Sequence, residues 1–168
     1  DHFVSAYSLR SCISATRNKR KADVFFGQIV WVDKEKGINS ASVLRDVTHK
    51  GQLYYGNFPH PATLYRRSLF KDYGGFDTSY KLLGDYDLNL RLLIQQNVPF
   101  FEMASVISVF YTGGISNATE YSNVRLSELN KLRQVYFSKK PWISNDKVNG
   151  LINRIIAKIS DSRLNRVW

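Results

Sequence analysis

Two carboxylates, Asp85 and Asp87, stand one residue apart directly after a glycine and open a strongly apolar stretch, residues 88–96. This spacing predicts that both lie in the first turn of a helix, where free backbone N–H groups and the helix dipole favour negative charge. A carboxylate held there can accept a proton in a reaction, or it can simply cap the helix. Because helix caps are common and catalytic motifs are rare, the pair by itself favours the cap. The residues that precede it alter that balance.

Two further polar sets lie upstream of the pair. Residues 56–70 place Asn57 and His60 just before an extended segment, residues 61–66, and a pair of arginines, Arg66 and Arg67, stands at the end of this segment. His60 either contacts a substrate or fixes the loop before this strand by a hydrogen bond. Residues 74–77, Gly-Gly-Phe-Asp, form a tight turn that leads to the carboxylates. Each set alone is a weak signal, but their order and spacing make a more specific pattern.

The elements that must position these residues include both helices and strands. Apolar periodicity and turn residues predict a long ordered loop over residues 38–57, with a short helix at 42–47. The remaining predicted elements are helices over 3–18, 68–73, 85–97, 118–137 and 145–162, and strands over 22–32, 61–66 and 100–111. The near-continuous apolar character of residues 22–32 predicts a central strand that is covered on both faces.

The composition bounds the class of protein. A chain of 168 residues, 43% of them hydrophobic, suits one folded domain, and no apolar run is long enough to span a membrane. The single cysteine, Cys12, excludes an internal disulfide and fits a reducing compartment, and it is expected to be a small buried helix residue.

The positive charge is concentrated towards the C-terminus. Residues 1–124 carry 14 basic and 11 acidic residues, a net +3, whereas residues 125–168 carry 10 basic and 3 acidic residues, a net +7. This excess predicts an anionic partner such as a diphosphate, lipid head groups or nucleic acid. The amphipathic helix over 145–162 either packs on the domain or rests on an anionic membrane surface.

Taken in order, the motifs resemble the second half of a family 2 glycosyltransferase of the inverting GT-A type. The similar group builds bacterial cell-surface polysaccharides. The matching runs are His-Pro-Ala-Thr (60–63), Arg-Arg-Ser-Leu-Phe (66–70), Gly-Gly-Phe-Asp (74–77) and Asp-Tyr-Asp-Leu (85–88), flanked by Ala-Asp-Val-Phe-Phe-Gly (22–27) and Phe-Tyr-Thr-Gly-Gly-Ile-Ser (110–116). The resemblance covers residues 1–117. It implies an α/β fold with a partial GT-A-like, Rossmann-like mixed sheet and flanking helices, and leaves residues 118–168 as a helical extension.

The resemblance also implies a reaction. A sugar would pass with inversion from a nucleotide-diphosphate sugar to a saccharide or lipid-linked saccharide acceptor, in the cytoplasm or at the inner face of the cell membrane. Asp85 takes the position of the general base, and Asp87 orients the helix or supports the acceptor site. Gly84 stands where many relatives have Glu, so any task of that Glu is missing or taken over by another residue.

Further substrate contacts are expected from Asn57, His60, Gly113 and Gly114. The two glycines would let the backbone approach the diphosphate, although a turn at the end of a strand explains them equally well.

The family further implies a divalent cation, Mg²⁺ or Mn²⁺, that neutralises the leaving diphosphate. In the family, the last Asp of an Asp-x-Asp motif holds this cation, and counting back from Asp23 places Asp1 close to the position of that Asp. A nucleotide-binding βαβ half is then expected upstream of residue 1, and residues 1–168 alone are expected to hold the donor poorly.

Two other interpretations remain. The chain could be a non-catalytic basic module that binds nucleic acid or an anionic surface through residues 125–168, although it contains no recognisable nucleic-acid-binding motif. It could also be an inactive structural part of a larger protein.

Overall fold

The structure is a computed structural model that describes residues 2–33, 37–42, 53–111 and 119–138. The chain divides into a compact unit, Asp1–Tyr136, and a second unit, Phe137–Trp168. Only residues 137 and 138 of the second unit are described, so the helix expected over 145–162 lies outside the described residues. No helix within the described ranges combines the length and apolarity that crossing a membrane requires.

A mixed five-stranded sheet forms the centre of the first unit. Strands β2 and β5 lie side by side in parallel, and β1 pairs antiparallel with the outer edge of β5. The other edge of β2 is shared, because β4 pairs with its first residues and β3 with its last. The strands are β1 (His2–Phe3), β2 (Val24–Asp33), β3 (Gly37–Ser42), β4 (Thr63–Tyr65) and β5 (Phe100–Tyr111). The predicted α/β class with a mixed sheet is confirmed.

Within the described residues, four α-helices accompany the sheet, and one of them changes pitch. The third helix, Gly84–Leu90, continues without a break into a π-helical turn, Arg91–Gln95, so that the two form one helical element. The helices are α1 (Ala6–Asn18), α2 (Ser68–Tyr73), α3 (Gly84–Leu90) and α4 (Ser122–Phe137). The prediction of α2 is confirmed residue for residue.

Several predicted elements differ from the structure at their boundaries, since β4 covers only part of the predicted strand 61–66 and α4 begins later than predicted. Two further differences have clear physical causes. The first helix begins at Ala6 because the hydroxyl of Ser5 accepts a hydrogen bond from the backbone N–H of Ser8 at 3.2 Å, which is an N-cap. Residues 37–42, predicted as the start of a loop, form β3. Their polar sequence hid this strand, because it depends on backbone pairing with β2 and not on an apolar pattern. Residues 43–52 lie outside the described residues.

The core lies on both faces of β2, as predicted. Phe25 and Phe26 are consecutive and therefore point to opposite faces, yet both are almost completely buried. Phe25 belongs to a cluster that includes Cys12 of α1, which confirms the buried position of the cysteine. Phe26 stacks on Phe58 with ring centroids 3.9 Å apart. This contact anchors the loop that carries the polar residues Asn57 and His60.

Candidate active site

Asp85 lies where a buried helix begins. The side chains that follow it in α3, Tyr86 and Leu88, are 3% and 1% exposed, so the helix is held firmly against the core. The hydroxyl of Tyr86 also donates a hydrogen bond to the carbonyl of Leu53. Asp85 itself is half-buried, in the first turn of the helix, as predicted. The apolar residues of α3 therefore fix the position of a carboxylate that still reaches the surface.

Two groups hydrogen-bond to the carboxylate of Asp85. The backbone N–H of Tyr86 donates to Oδ1 at 2.8 Å, and the side-chain amide of Asn57 donates to Oδ2 at 3.0 Å. The amide orientation of Asn57 is set by its other contacts, since its Oδ1 accepts from the backbone N–H of Phe58 at 2.9 Å and from Asn89 at 2.7 Å. A carboxylate has about four lone-pair sites, so these contacts do not use all of its capacity to accept a proton.

The polar network continues behind Asn57 to two residues that the sequence interpretation missed. Asn89 is completely buried, and its Oδ1 accepts a hydrogen bond from the hydroxyl of Tyr65 on β4 at 2.9 Å. Hydrogen bonds therefore run from Tyr65 through Asn89 and Asn57 to Asp85. The sequence did carry a signal for Asn89, a polar residue in an apolar run four positions after Asp85 and so on the same helical face.

The surroundings of Asp85 change its acidity. Burial raises the pKa of the Asp85 carboxyl above its usual range, and the charge of His60, the backbone N–H of Tyr86 and the amide of Asn57 act in the opposite direction. Burial, followed by the nearby charge of Asp85, also raises the pKa of Tyr65. A carboxylate with a raised pKa is a stronger base than an exposed one, provided that it stays ionised at the working pH.

His60 joins the first polar set to the second. It begins a 3-10 turn, His60–Ala62, just before β4, and its ring is exposed. The ring meets Phe76 of the Gly-Gly-Phe-Asp turn edge to face, with centroids 5.5 Å apart. Because the charge of His60 also acts on Asp85, all three sets of residues singled out in the sequence lie together in the fold.

Asp87 is turned away from this surface. It is 5% exposed, and its carboxylate accepts hydrogen bonds from the hydroxyl of Tyr136 at 2.7 Å and from Arg91 at 3.2 Å. The guanidinium of Arg91 also donates to the backbone carbonyls of Tyr73 and Gly75, both at 2.7 Å. Asp87 therefore helps to tie α4 and the glycine turn to α3, which suits an orienting role.

Three of the expected site residues lie outside the described residues, namely Asp1, Gly113 and Gly114. Within the described part of the chain, no group of three His, Cys, Asp or Glu side chains could hold a metal ion. Asp85 could offer a cation one carboxylate, and Mg²⁺ is usually held by one or two carboxylates together with the phosphates of the substrate.

No protein-family model matches this chain, and no curated protein matches it either.

Proposed function

We propose that this chain is the acceptor-side part of a family 2 glycosyltransferase of the inverting GT-A type. Its reaction is the transfer of a sugar from a nucleotide-diphosphate sugar to a saccharide or lipid-linked saccharide in cell-surface polysaccharide synthesis. The observation that carries the proposal is Asp85, a half-buried carboxylate with a raised pKa at the point where the three motifs meet. The motif order from His60 to Leu88 supports the choice of family.

Asp85 acts as the general base in this proposal. The hydroxyl of the acceptor gives its proton to a carboxylate oxygen of Asp85 while its oxygen bonds to the anomeric carbon of the donor. The bond from that carbon to the diphosphate breaks, and its electron pair leaves with the diphosphate. Asn57 and the N–H of Tyr86 hold the carboxylate in one orientation, and a fixed orientation favours proton transfer from a bound hydroxyl. His60, exposed beside Asp85, is proposed to contact the acceptor or the diphosphate.

We also propose that the reaction uses a divalent cation. Its candidate ligand is Asp1, which lies outside the described residues. The part of the cation would be to neutralise the charge that develops on the diphosphate. The backbone at Gly113 and Gly114 is likewise proposed to approach the diphosphate.

The assignment is tested by Asp85→Asn in the intact protein. We expect the release of nucleoside diphosphate from a panel of UDP-, GDP- and dTDP-linked hexoses, in the presence of saccharide acceptors, to fall on the order of 10²- to 10⁴-fold. Asp72→Asn is the matched control, because Asp72 is an exposed carboxylate on α2. Full transfer by Asp85→Asn would refute its role as the base.

The charge of residues 125–168 favours a second candidate, a basic module that binds an anionic surface. These residues carry 10 basic and 3 acidic side chains. If the chain is the proposed transferase, the same segment is proposed to hold it at the inner face of the cell membrane. Loss of binding to anionic lipid vesicles on removal of residues 145–168 would support that role. Steeply salt-dependent binding to DNA or RNA would instead favour the non-catalytic module.

A further inference from the structure

A single carboxylate on α4 binds the backbone that leads into Asp85. Oε1 of Glu128 accepts a hydrogen bond from the N–H of Lys81 at 2.6 Å. Oε2 accepts two more, from the N–H groups of Leu82 at 3.1 Å and Leu83 at 3.0 Å. Three consecutive peptide groups are thus held by one side chain, and hydrogen bonds to a charged acceptor are stronger than those between neutral groups.

Two cation–π contacts flank this carboxylate. The ammonium group of Lys81 lies 4.4 Å from the ring centroid of Tyr121, and that of Lys131 lies 4.5 Å from the ring centroid of Tyr80. Both contacts join the same two parts of the chain, the segment before Asp85 and the region of α4. Residues 80–83 are therefore bound through their backbone and through the side chains on either side of Glu128.

The segment that Glu128 holds is continuous with the first turn of α3. The carbonyl of Leu83 accepts the hydrogen bond from the N–H of Asp87 at 2.9 Å. Gly84, between Leu83 and Asp85, has little free space, since a Cβ built on it would lie 3.3 Å from the carbonyl oxygen of Asp77. A displacement of residues 81–83 would therefore be passed on to Asp85 and to its hydrogen bond with Asn57.

We propose that Glu128 is a positioning residue for Asp85. Its carboxylate holds the backbone of residues 81–83 and, through them, the orientation of the Asp85 carboxylate towards the acceptor. The inference rests on the proposed function, because it gives Glu128 a part in catalysis without contact with the substrate.

The test is Glu128→Gln in the intact protein. The amide keeps the size of the side chain and one acceptor oxygen, but it replaces the other acceptor with an NH₂ donor that faces backbone N–H groups. We expect kcat to fall on the order of 10- to 100-fold with little change in KM, because a displaced base impairs the reaction more than it impairs binding. The pH profile of kcat should also shift, which a general loss of stability would not cause.

Two measurements on the chain of residues 1–168 do not depend on activity. Backbone amide exchange at Lys81, Leu82 and Leu83 should become faster in Glu128→Gln, and the titration of the Asp85 carboxyl, followed by ¹³C NMR, should move. Glu120→Gln is the matched control, because it removes one exposed carboxylate from the turn just before α4. It should leave amide exchange, titration and kcat as in the wild type.

The outcomes separate the two proposals. Wild-type kcat and pH profile in Glu128→Gln would overturn the positioning role, as would a lower kcat with unchanged amide exchange and unchanged Asp85 titration. Full transfer by Asp85→Asn would instead overturn the proposed function, while the exchange and titration data would still report whether Glu128 orients Asp85. Glu128→Asp keeps the charge but shortens the side chain. It should give values between those of Glu128→Gln and the wild type for kcat, for amide exchange and for the Asp85 titration.

Discussion

The side chain of Asn57 donates a 3.0 Å hydrogen bond to the carboxylate of Asp85, which lies 28 positions later in the chain. The contact joins the loop before β4 to the first turn of α3. It also closes a network, because the oxygen of the same amide accepts from the buried Asn89. One amide thus serves both the fold and the orientation of the candidate base, and substitutions in this network should affect stability and acidity together.

Asn57→Ala tests the two roles of this amide. We expect a loss of about 1–3 kcal/mol in the free energy of unfolding, because the buried amide of Asn89 is left without its acceptor. The pKa of Asp85 should rise further, since the hydrogen bond from Asn57 lowers it. Urea unfolding and ¹³C NMR titration of the Asp85 carboxyl measure the two effects. Asn130→Ala, at an exposed position of α4, is the control for both. An unchanged titration of Asp85 in Asn57→Ala would contradict the role of this hydrogen bond in lowering the pKa of Asp85.

The stability of the protein should depend on pH through Asp85. Its pKa in the folded state is raised above 3.8, so the folded state binds the proton more tightly than the unfolded state. The stabilisation from the protonated carboxyl is fully present below pH 3.8 and is lost as the pH rises through the raised pKa. Asp85→Asn has no carboxyl at this position and does not lose this stabilisation. The free energy of unfolding of Asp85→Asn relative to that of the wild type should therefore increase as the pH rises from 3.8 through the raised pKa. Urea unfolding at a series of pH values measures this difference.

Asp77 provides a control of the opposite sign. Its carboxylate accepts a hydrogen bond from the backbone N–H of Ser79 at 2.9 Å, and this contact lowers its pKa below 3.8. Its stabilisation is therefore present above pH 3.8 and is lost as the pH falls through the lowered pKa. The stability of Asp77→Asn relative to the wild type should decrease as the pH rises. If the relative stabilities of the two variants changed with pH in the same direction, at least one of the two inferred pKa shifts would be wrong.

Tyr136→Phe should destabilise the fold without a change in the core volume. The lost hydroxyl donates to the carboxylate of Asp87, which is 5% exposed, and a hydrogen bond to a buried charged group is worth about 1.5–3 kcal/mol. Chemical denaturation measures the difference. Tyr7→Phe is the control, because the side chain of Tyr7 is 75% exposed and its hydroxyl should contribute little. Equal losses in the two variants would argue against the role given to Asp87.

Gly27→Ala should weaken the pairing of the two central strands. The register between β2 and β5 shifts at this residue, and a Cβ there would overlap Cγ1 of Ile107 and lie 2.9 Å from the carbonyl oxygen of Ser105. We expect a loss of about 1–3 kcal/mol, measured by thermal or chemical unfolding. Gly75→Ala, where a new Cβ would meet no atom within 4 Å, should change stability by less than about 0.5 kcal/mol.

The sequence predicted those elements that follow from local pattern. The apolar run of β2 marked a strand covered on both faces, and the residues of α2 and the start of α3 were placed correctly. The edge strand β3 was missed because its residues are polar and its stability comes from backbone pairing with β2. The boundary of the first helix was missed because the cap at Ser5 allows His2 and Phe3 to pair with β5.

By itself, the sequence determined the class of fold, the buried strand and the place of Asp85 in the first turn of a helix, because periodicity and turn chemistry act over a few residues. Only the tertiary structure decided that Asn57 holds the Asp85 carboxylate, that Asp87 faces Tyr136, and that Glu128 binds the backbone before α3. These contacts join residues 28 to 49 positions apart. They exist only because the packing of α3 and α4 around a common core brings polar side chains within hydrogen-bonding distance, a relationship that no local pattern encodes.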